Sequence, residues 1–175
     1  MMRQNTQYRT NYNKDMLHLS NLKFRGRLTR LDKNRIKYIV VHHSEVSSRH
    51  TVKDIHQWHL NKGWAGIGYH FFIDKEGAVY GGRPLWAKGA HAYGYNGVSI
   101  GICLEGNFNK QQPEEKQLES AALLIALLNR IYHDAAIVRH NELTKKKDCP
   151  GRLFPFRSLG HRVTQYGQLL KAVES

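Results

Sequence analysis

The stretch "IVVHHSEVSS" (residues 39–48) starts as a strand suited to a protein interior and ends in two imidazoles and a hydroxyl. Lys37 and Tyr38 lead into three consecutive β-branched residues, Ile39, Val40 and Val41. Such a run predicts a strand over 37–43 that is apolar on both faces, as in a sheet covered by helices. The imidazoles of His42 and His43 then stand where that strand ends. Strand ends of α/β sheets are where sites are usually built, so the histidines ask for a chemical explanation.

The rest of the chain supplies the partners of this strand. "TVKDIHQWHLNKGW" (51–64) predicts a helix capped by Thr51, with Asp54 at the capping-box position and Gly63 at its end. Val52, Ile55 and His59 share one face of it. "GYHFFIDKEGAVYGG" (68–82) predicts a hairpin turning at "DKEG", and "SIGICLEG" (99–106) a further strand. "PEEKQLESAALLIALLNRIYH" (113–133) is the clearest helix. Pro113 suits its first turn, two glutamates follow, and Leu118, Ala121, Ala122, Ile125, Leu128 and Tyr132 recur at helical spacing. "AAIVRH" (135–140) predicts a short strand ending in His140, and "LGHRVTQYGQLLKAV" (159–173) a last helix. The expected fold is α/β: a single domain over 36–175 with a central mixed β-sheet flanked by helices, preceded by a basic N-terminal arm over 1–35.

The 175 residues carry a net charge of +13 and a pI near 9.9, which favours a polyanionic partner without choosing one. Residues 1–35 hold nine Lys and Arg against two Asp, a net +7 and more than half of the total. "MLHLSNLKFRGRLTRL" (16–31) mixes leucines with these charges. Two readings are open: a weakly amphipathic segment that seeks anionic surfaces, or an arm that packs its leucines on the domain. No segment is apolar and long enough to span a membrane, and "MMRQNTQYRTNYNKD" lacks the apolar core of a secretory signal. Synthesis in the cytoplasm without a signal peptide is therefore expected. Two cysteines, Cys103 and Cys149, are too few for a disulfide scaffold.

His42 and His140 each end a predicted strand, and Cys149 follows in "KKKDCPG" (145–151). Two imidazoles and a thiolate suit zinc, and three protein ligands leave a fourth position for water, the catalytic arrangement. Spacing alone leaves a structural histidine and an inert buried thiol equally open.

"VVHHS", "GYHFFIDKEGAVYGGR", "GAHAYGYNGVSIGICLEGNF" and "RHNELTKKKDCPG" together resemble the type 2 N-acetylmuramoyl-L-alanine amidases, which include phage lysozyme-type enzymes and are related to peptidoglycan recognition proteins. The resemblance runs in order from Lys37 to Phe154. It implies hydrolysis of the amide between N-acetylmuramic acid and L-alanine of peptidoglycan, with one catalytic zinc ion held by His42, His140 and Cys149. Asp148 is the alternative third ligand. Cys149 is preferred because it directly precedes the "PG" of the motif. His43 points to the other face of the strand, which leaves it either a support to the ligand residues or a structural residue.

By the same resemblance, Tyr69 and Lys147 form the catalytic pair, with Tyr69 orienting water or helping proton transfer and Lys147 stabilising the oxyanion. Another branch places a catalytic glutamate where this chain has Cys103, which assigns the chain to the phage-type branch. Glu105 lies two residues on and is expected to border the sheet. His91 and Asn96, in "GAHAYGYN" (89–96), are expected to contact substrate, and His59 to be a satisfied core residue. The expected setting is that of a monomeric phage or prophage endolysin acting on the cell wall after release. The arm would bind anionic wall polymer or a membrane surface, with no specific nucleic-acid partner. A peptidoglycan-binding module without catalysis is the alternative.

Overall fold

The computed structural model describes residues 17–133, 135–145 and 148–174. Its centre is a six-stranded mixed sheet. In chain order the strands are β1 (Leu17–His18), β2 (Tyr38–His43), β3 (Phe71–Ile73), β4 (Val79–Gly81), β5 (Ser99–Leu104) and β6 (Ala136–Arg139). Across the sheet they run β1-β4-β3-β5-β2-β6. Only β3 and β4 pair antiparallel, as the two arms of the expected hairpin; every other neighbour is parallel. The α/β class with a mixed sheet is the one expected from the order of predicted strands and helices.

Four helices complete the fold: α1 (Val52–Asn61), α2 (Glu115–Ile131), α3 (His140–Thr144) and α4 (Phe156–Glu174). β2 is buried along nearly its whole length, and its alternate residues serve two different layers. Ile39 and Val41 join Ile100, Ile102 and Leu104 of β5 in the larger core, against α2 and α4. On the opposite face Phe72 and Cys103 pack with Val52 and Ile55 of α1 in a smaller cluster. His42 and His43 inherit these two directions.

Local chemistry sets the helix bounds. Thr51 and Asp54 form the expected reciprocal box: the Thr51 hydroxyl accepts from the Asp54 N–H at 3.3 Å, and the Asp54 carboxylate from the Thr51 N–H at 2.7 Å. Gly63, at φ +82°, ends the segment, as expected of a residue without a Cβ. Three boundaries depart from the sequence reading. Pro113 precedes the cap residue Glu114 instead of sitting in the first turn, because the Glu114 N–H already bonds the Gln117 side chain at 3.0 Å. His140 opens α3 instead of closing β6, since the Glu142 carboxylate reaches back to the Arg139 N–H at 2.5 Å. α4 begins three residues before Leu159.

Residues 17–35 lie along the domain. β1 adds a parallel edge strand to β4, Leu22 and Phe24 pack on the smaller cluster, and Leu31 is buried in the larger core. Arg27, Arg30 and Arg35 stay exposed. Leu22, Phe24 and Leu31 thus pack on the domain, whereas Leu17 and Leu19 stay exposed, at 48% and 86%. The first sixteen residues of the arm lie outside the described residues. No described helix is long and apolar enough to cross a membrane.

Candidate metal centre

β2, β5 and β6 run parallel, so their carboxyl ends lie together. In the β2–β5 register His42 stands beside Cys103, and in the β2–β6 register Val41 stands beside Arg139, one step short of His140. The two histidines therefore meet, with ring centroids 4.5 Å apart. Cys149 arrives from a different direction. The Asn141 N–H donates to the Cys149 carbonyl at 3.0 Å, which holds Cys149 against the first turn of α3. Gly151 then presses on the Phe108 backbone: a Cβ there would lie 2.5 Å from the Phe108 carbonyl carbon, at φ +106°. Only glycine fits, and the turn aims the Cys149 sulfur inward.

One ligand atom each from His42, His140 and Cys149 lies within 4.8 Å of the others. The Cys149 Sγ is 3.7 Å from His42 Nδ1. Zinc–nitrogen and zinc–sulfur distances of about 2.1 and 2.3 Å at a tetrahedral angle require a separation of about 3.6 Å. The donor set and its spacing fit zinc. His42 is buried, and burial, then the neighbouring imidazoles His91 and His140, hold its pKa well below the usual value. The imidazole is thus neutral and has a lone pair to give. Asp148, the alternative ligand, is exposed and not part of the group.

The cluster lies in a cleft of about 510 Å³ whose walls include Tyr69, Trp58, Trp64 and Lys62. Tyr69 stands with its ring 5.0 Å from that of His42. Burial, then the nearby thiols Cys103 and Cys149, push its pKa well up, so it remains a phenol. Lys147 lies outside the described residues. Trp58 and Trp64 were not singled out in the sequence. Each is about two-fifths exposed, at 38% and 43%, and together they offer aromatic surface beside the cluster. Their signal was the pair of indoles bracketing the polar end of "QWHLNKGW".

The other expected residues fall into distinct places. His43 faces the larger core, where its Nδ1 accepts from the Phe108 N–H at 3.0 Å. His59 accepts from the Gly68 N–H at 3.0 Å, and burial, then Lys62 and Arg83, lower its pKa to about 4. The Asn96 side-chain oxygen accepts from the His91 and Ala92 N–H groups, both at 2.8 Å, and so holds its own loop. His91 borders the cleft, but its Nδ1 lies 3.0 Å from His42 Nε2. Cys103 is fully buried, and burial pushes its thiol pKa well up. Glu105 is fully buried too, and its two oxygens accept from the His50 and Lys75 N–H groups at 3.1 and 3.0 Å. It ties two loops to the end of β5 beside a separate cavity of about 670 Å³.

The profile of the N-acetylmuramoyl-L-alanine amidase family (Amidase_2) matches residues 32–152, a span that contains every member of the cluster. The endolysin of Escherichia phage T7 is 38% identical over 104 residues, which cover 57% of this chain and 68% of the relative. Peptidoglycan-recognition protein LB of Drosophila melanogaster is 36% identical over 132 residues, 67% of this chain and 56% of the relative. Among solved structures, the N-acetylmuramoyl-L-alanine amidase LysC from Clostridium intestinale URNW superposes with a TM-score of 0.76 at 36% identity, covering 85% of this chain and 97% of that one. A site that gathers two imidazoles and a cysteine sulfur, inside a sequence match of this extent, places the chain in one family: it belongs to the type 2 N-acetylmuramoyl-L-alanine amidases and their peptidoglycan-recognition relatives.

Proposed function

We propose that this chain is a zinc-dependent amidase that cuts peptidoglycan between N-acetylmuramic acid and the first L-alanine of the stem peptide, in the manner of a phage endolysin. The observation that carries the reading is the group of His42, His140 and Cys149 within 4.8 Å at the floor of an open cleft. A wall-binding module without catalysis has no need of a buried thiol gathered with two imidazoles, a costly arrangement without a metal.

His42, His140 and Cys149 would hold the ion. When bound, zinc supplies a water of lowered pKa and a charge that polarises the scissile carbonyl. Tyr69 keeps its proton; its hydroxyl, which bonds the Cys103 side chain in this structure, would turn to the reacting atoms as a hydrogen-bond donor and not as a phenolate base. Lys147, two residues before Cys149, is proposed as the cation facing the developing oxyanion. Trp58 and Trp64 supply apolar faces against which a sugar or peptide stem can pack. Glu105 is excluded from this chemistry by its full burial and its bonds to two loops.

The deciding experiment is end-group analysis of purified peptidoglycan digested with and without a zinc chelator. New L-alanine amino groups without new reducing sugar ends, suppressed by chelator, are expected. New reducing ends would mean a glycosidase. No new ends of either kind, from folded and zinc-loaded protein, would leave a binding module.

A further inference from the structure

The hydrogen bond between two imidazoles, His42 Nε2 and His91 Nδ1 at 3.0 Å, is unusual, because a ligand histidine more often leans on a carboxylate, a backbone carbonyl or water. Its direction can be worked out from the far end. The Ser99 hydroxyl donates to the Tyr95 carbonyl at 2.8 Å, so its proton is committed. Toward His91 Nε2, 3.4 Å away, the Ser99 oxygen can then only accept, and the Ser99 backbone also accepts from this ring. His91 Nε2 must therefore carry the proton. In a neutral ring that leaves Nδ1 as the acceptor, so His42 Nε2 carries the proton of the shared bond. His42 Nδ1 is then the unprotonated nitrogen, and it is the one that faces the Cys149 sulfur at 3.7 Å.

The His91 ring has little freedom to do otherwise. A Cβ on Gly101 would lie 2.6 Å from its Cγ, and one on Gly89 would lie 2.5 Å from its Cδ2. Both glycines let the backbone close on the ring. Asn96 fixes the main chain of the same residue at 2.8 Å. A ring packed in this way can neither flip nor withdraw without moving β5.

We propose that His91 is a positioning residue: through the relay Ser99–His91–His42 it sets the tautomer of His42, so that Nδ1 is presented to the metal. The proposal rests on the zinc reading above and deepens it. His91 thereby acts on metal retention and not as a contact to substrate.

The test uses the full chain. In zinc-loaded wild-type protein, long-range proton–nitrogen NMR of the histidine side chains should show a proton on Nε2 of both His42 and His91, with Nδ1 of His91 bare. Zinc affinity is then measured by competition with a chromogenic chelator. His91→Ala should bind zinc about 10- to 100-fold more weakly. His91→Asn, whose Oδ1 can stand where Nδ1 stood, should recover most of that loss. A proton on Nδ1 of His91 in the wild type overturns the proposal, and this measurement needs no variant to fold. A folded His91→Ala protein with unchanged zinc affinity also overturns it, and a raised KM alone would then restore the substrate-contact role. Wild-type protein that binds no zinc would bring down the metal reading itself, a result distinct from either.

Discussion

His70, which adjoins the site without belonging to it, should impose a measurable pH dependence on folding. It is 1% exposed. Its Nδ1 accepts from the Gly101 N–H at 3.0 Å, and its Nε2 lies 3.0 Å from the Ala87 carbonyl, to which it donates. Only the neutral ring satisfies both, since a second proton on Nδ1 would point at the Gly101 N–H. Burial outweighs the Ala87 bond, and with Arg83 it brings the pKa to about 4. In the unfolded chain an ordinary histidine titrates near 6.5. Between these values the unfolded chain binds a proton that the folded chain refuses, so stability rises with pH across the window. The contribution is complete above about pH 6.5 and is lost as pH falls toward 4. A gap of about 2.5 units corresponds to about 3 kcal/mol, of which about 2 kcal/mol is gone by pH 5. Urea unfolding in the presence of chelator, at pH 7 and pH 5, measures the loss. The control is His70→Asn, which keeps an acceptor for Gly101 but cannot titrate. The other depressed histidines are present in both proteins and cancel. The wild type should lose about 2 kcal/mol more than the variant over this interval. Equal losses, within about 0.5 kcal/mol, would refute the argument.

Further outcomes follow from the same geometry. Cys149→Ala should abolish hydrolysis and remove the thermal stabilisation by zinc; at a hundredfold excess over Kd that is about 2.7 kcal/mol, or roughly 5–10 °C, read by melting with and without chelator. Glu105→Gln keeps only one acceptor for two N–H groups, so stability should fall by about 1–3 kcal/mol in denaturant titration while kcat stays within a few-fold. Gly151→Ala drives a Cβ to 2.5 Å from the Phe108 backbone at φ +106°, and should cost about 2–4 kcal/mol and weaken zinc binding in the same chelator competition. Replacing exposed Arg27, Arg30 and Arg35 by Gln leaves the buried leucines of the arm in place. Lysis of intact cells should weaken, most at low salt, where charges act beyond about 8 Å, while digestion of purified peptidoglycan should not change. Equal lysis of intact cells would remove the arm's charge from the account.

Much was legible in the sequence because it depends on local pattern. The β-branched run of Ile39–Val41 determined an interior strand, the order of predicted strands and helices determined the α/β class, and Thr51 with Asp54 determined where α1 starts. His42, His140 and Cys149 were legible as a set only through the order of the surrounding motifs, since 107 residues separate His42 from Cys149. Spacing cannot say that such distant groups meet; the parallel registers of β2 and β6 bring His42 to His140, and the bond from the Asn141 N–H to the Cys149 carbonyl brings in the sulfur. The arm was ambiguous for a related reason. Leucines among arginines suit a membrane surface or a protein core equally well; the structure docks Leu22, Phe24 and Leu31 on the domain and leaves Leu17 and Leu19 exposed, a division that no local pattern announces. The role proposed for His91 was out of reach altogether. A histidine in a glycine-rich loop looks like a ligand contact from sequence, whereas its partner is fixed by ring orientation, by the absence of a Cβ on Gly89 and Gly101, and by where the Ser99 proton goes. These are properties of packing in three dimensions, and side-chain identity alone does not contain them.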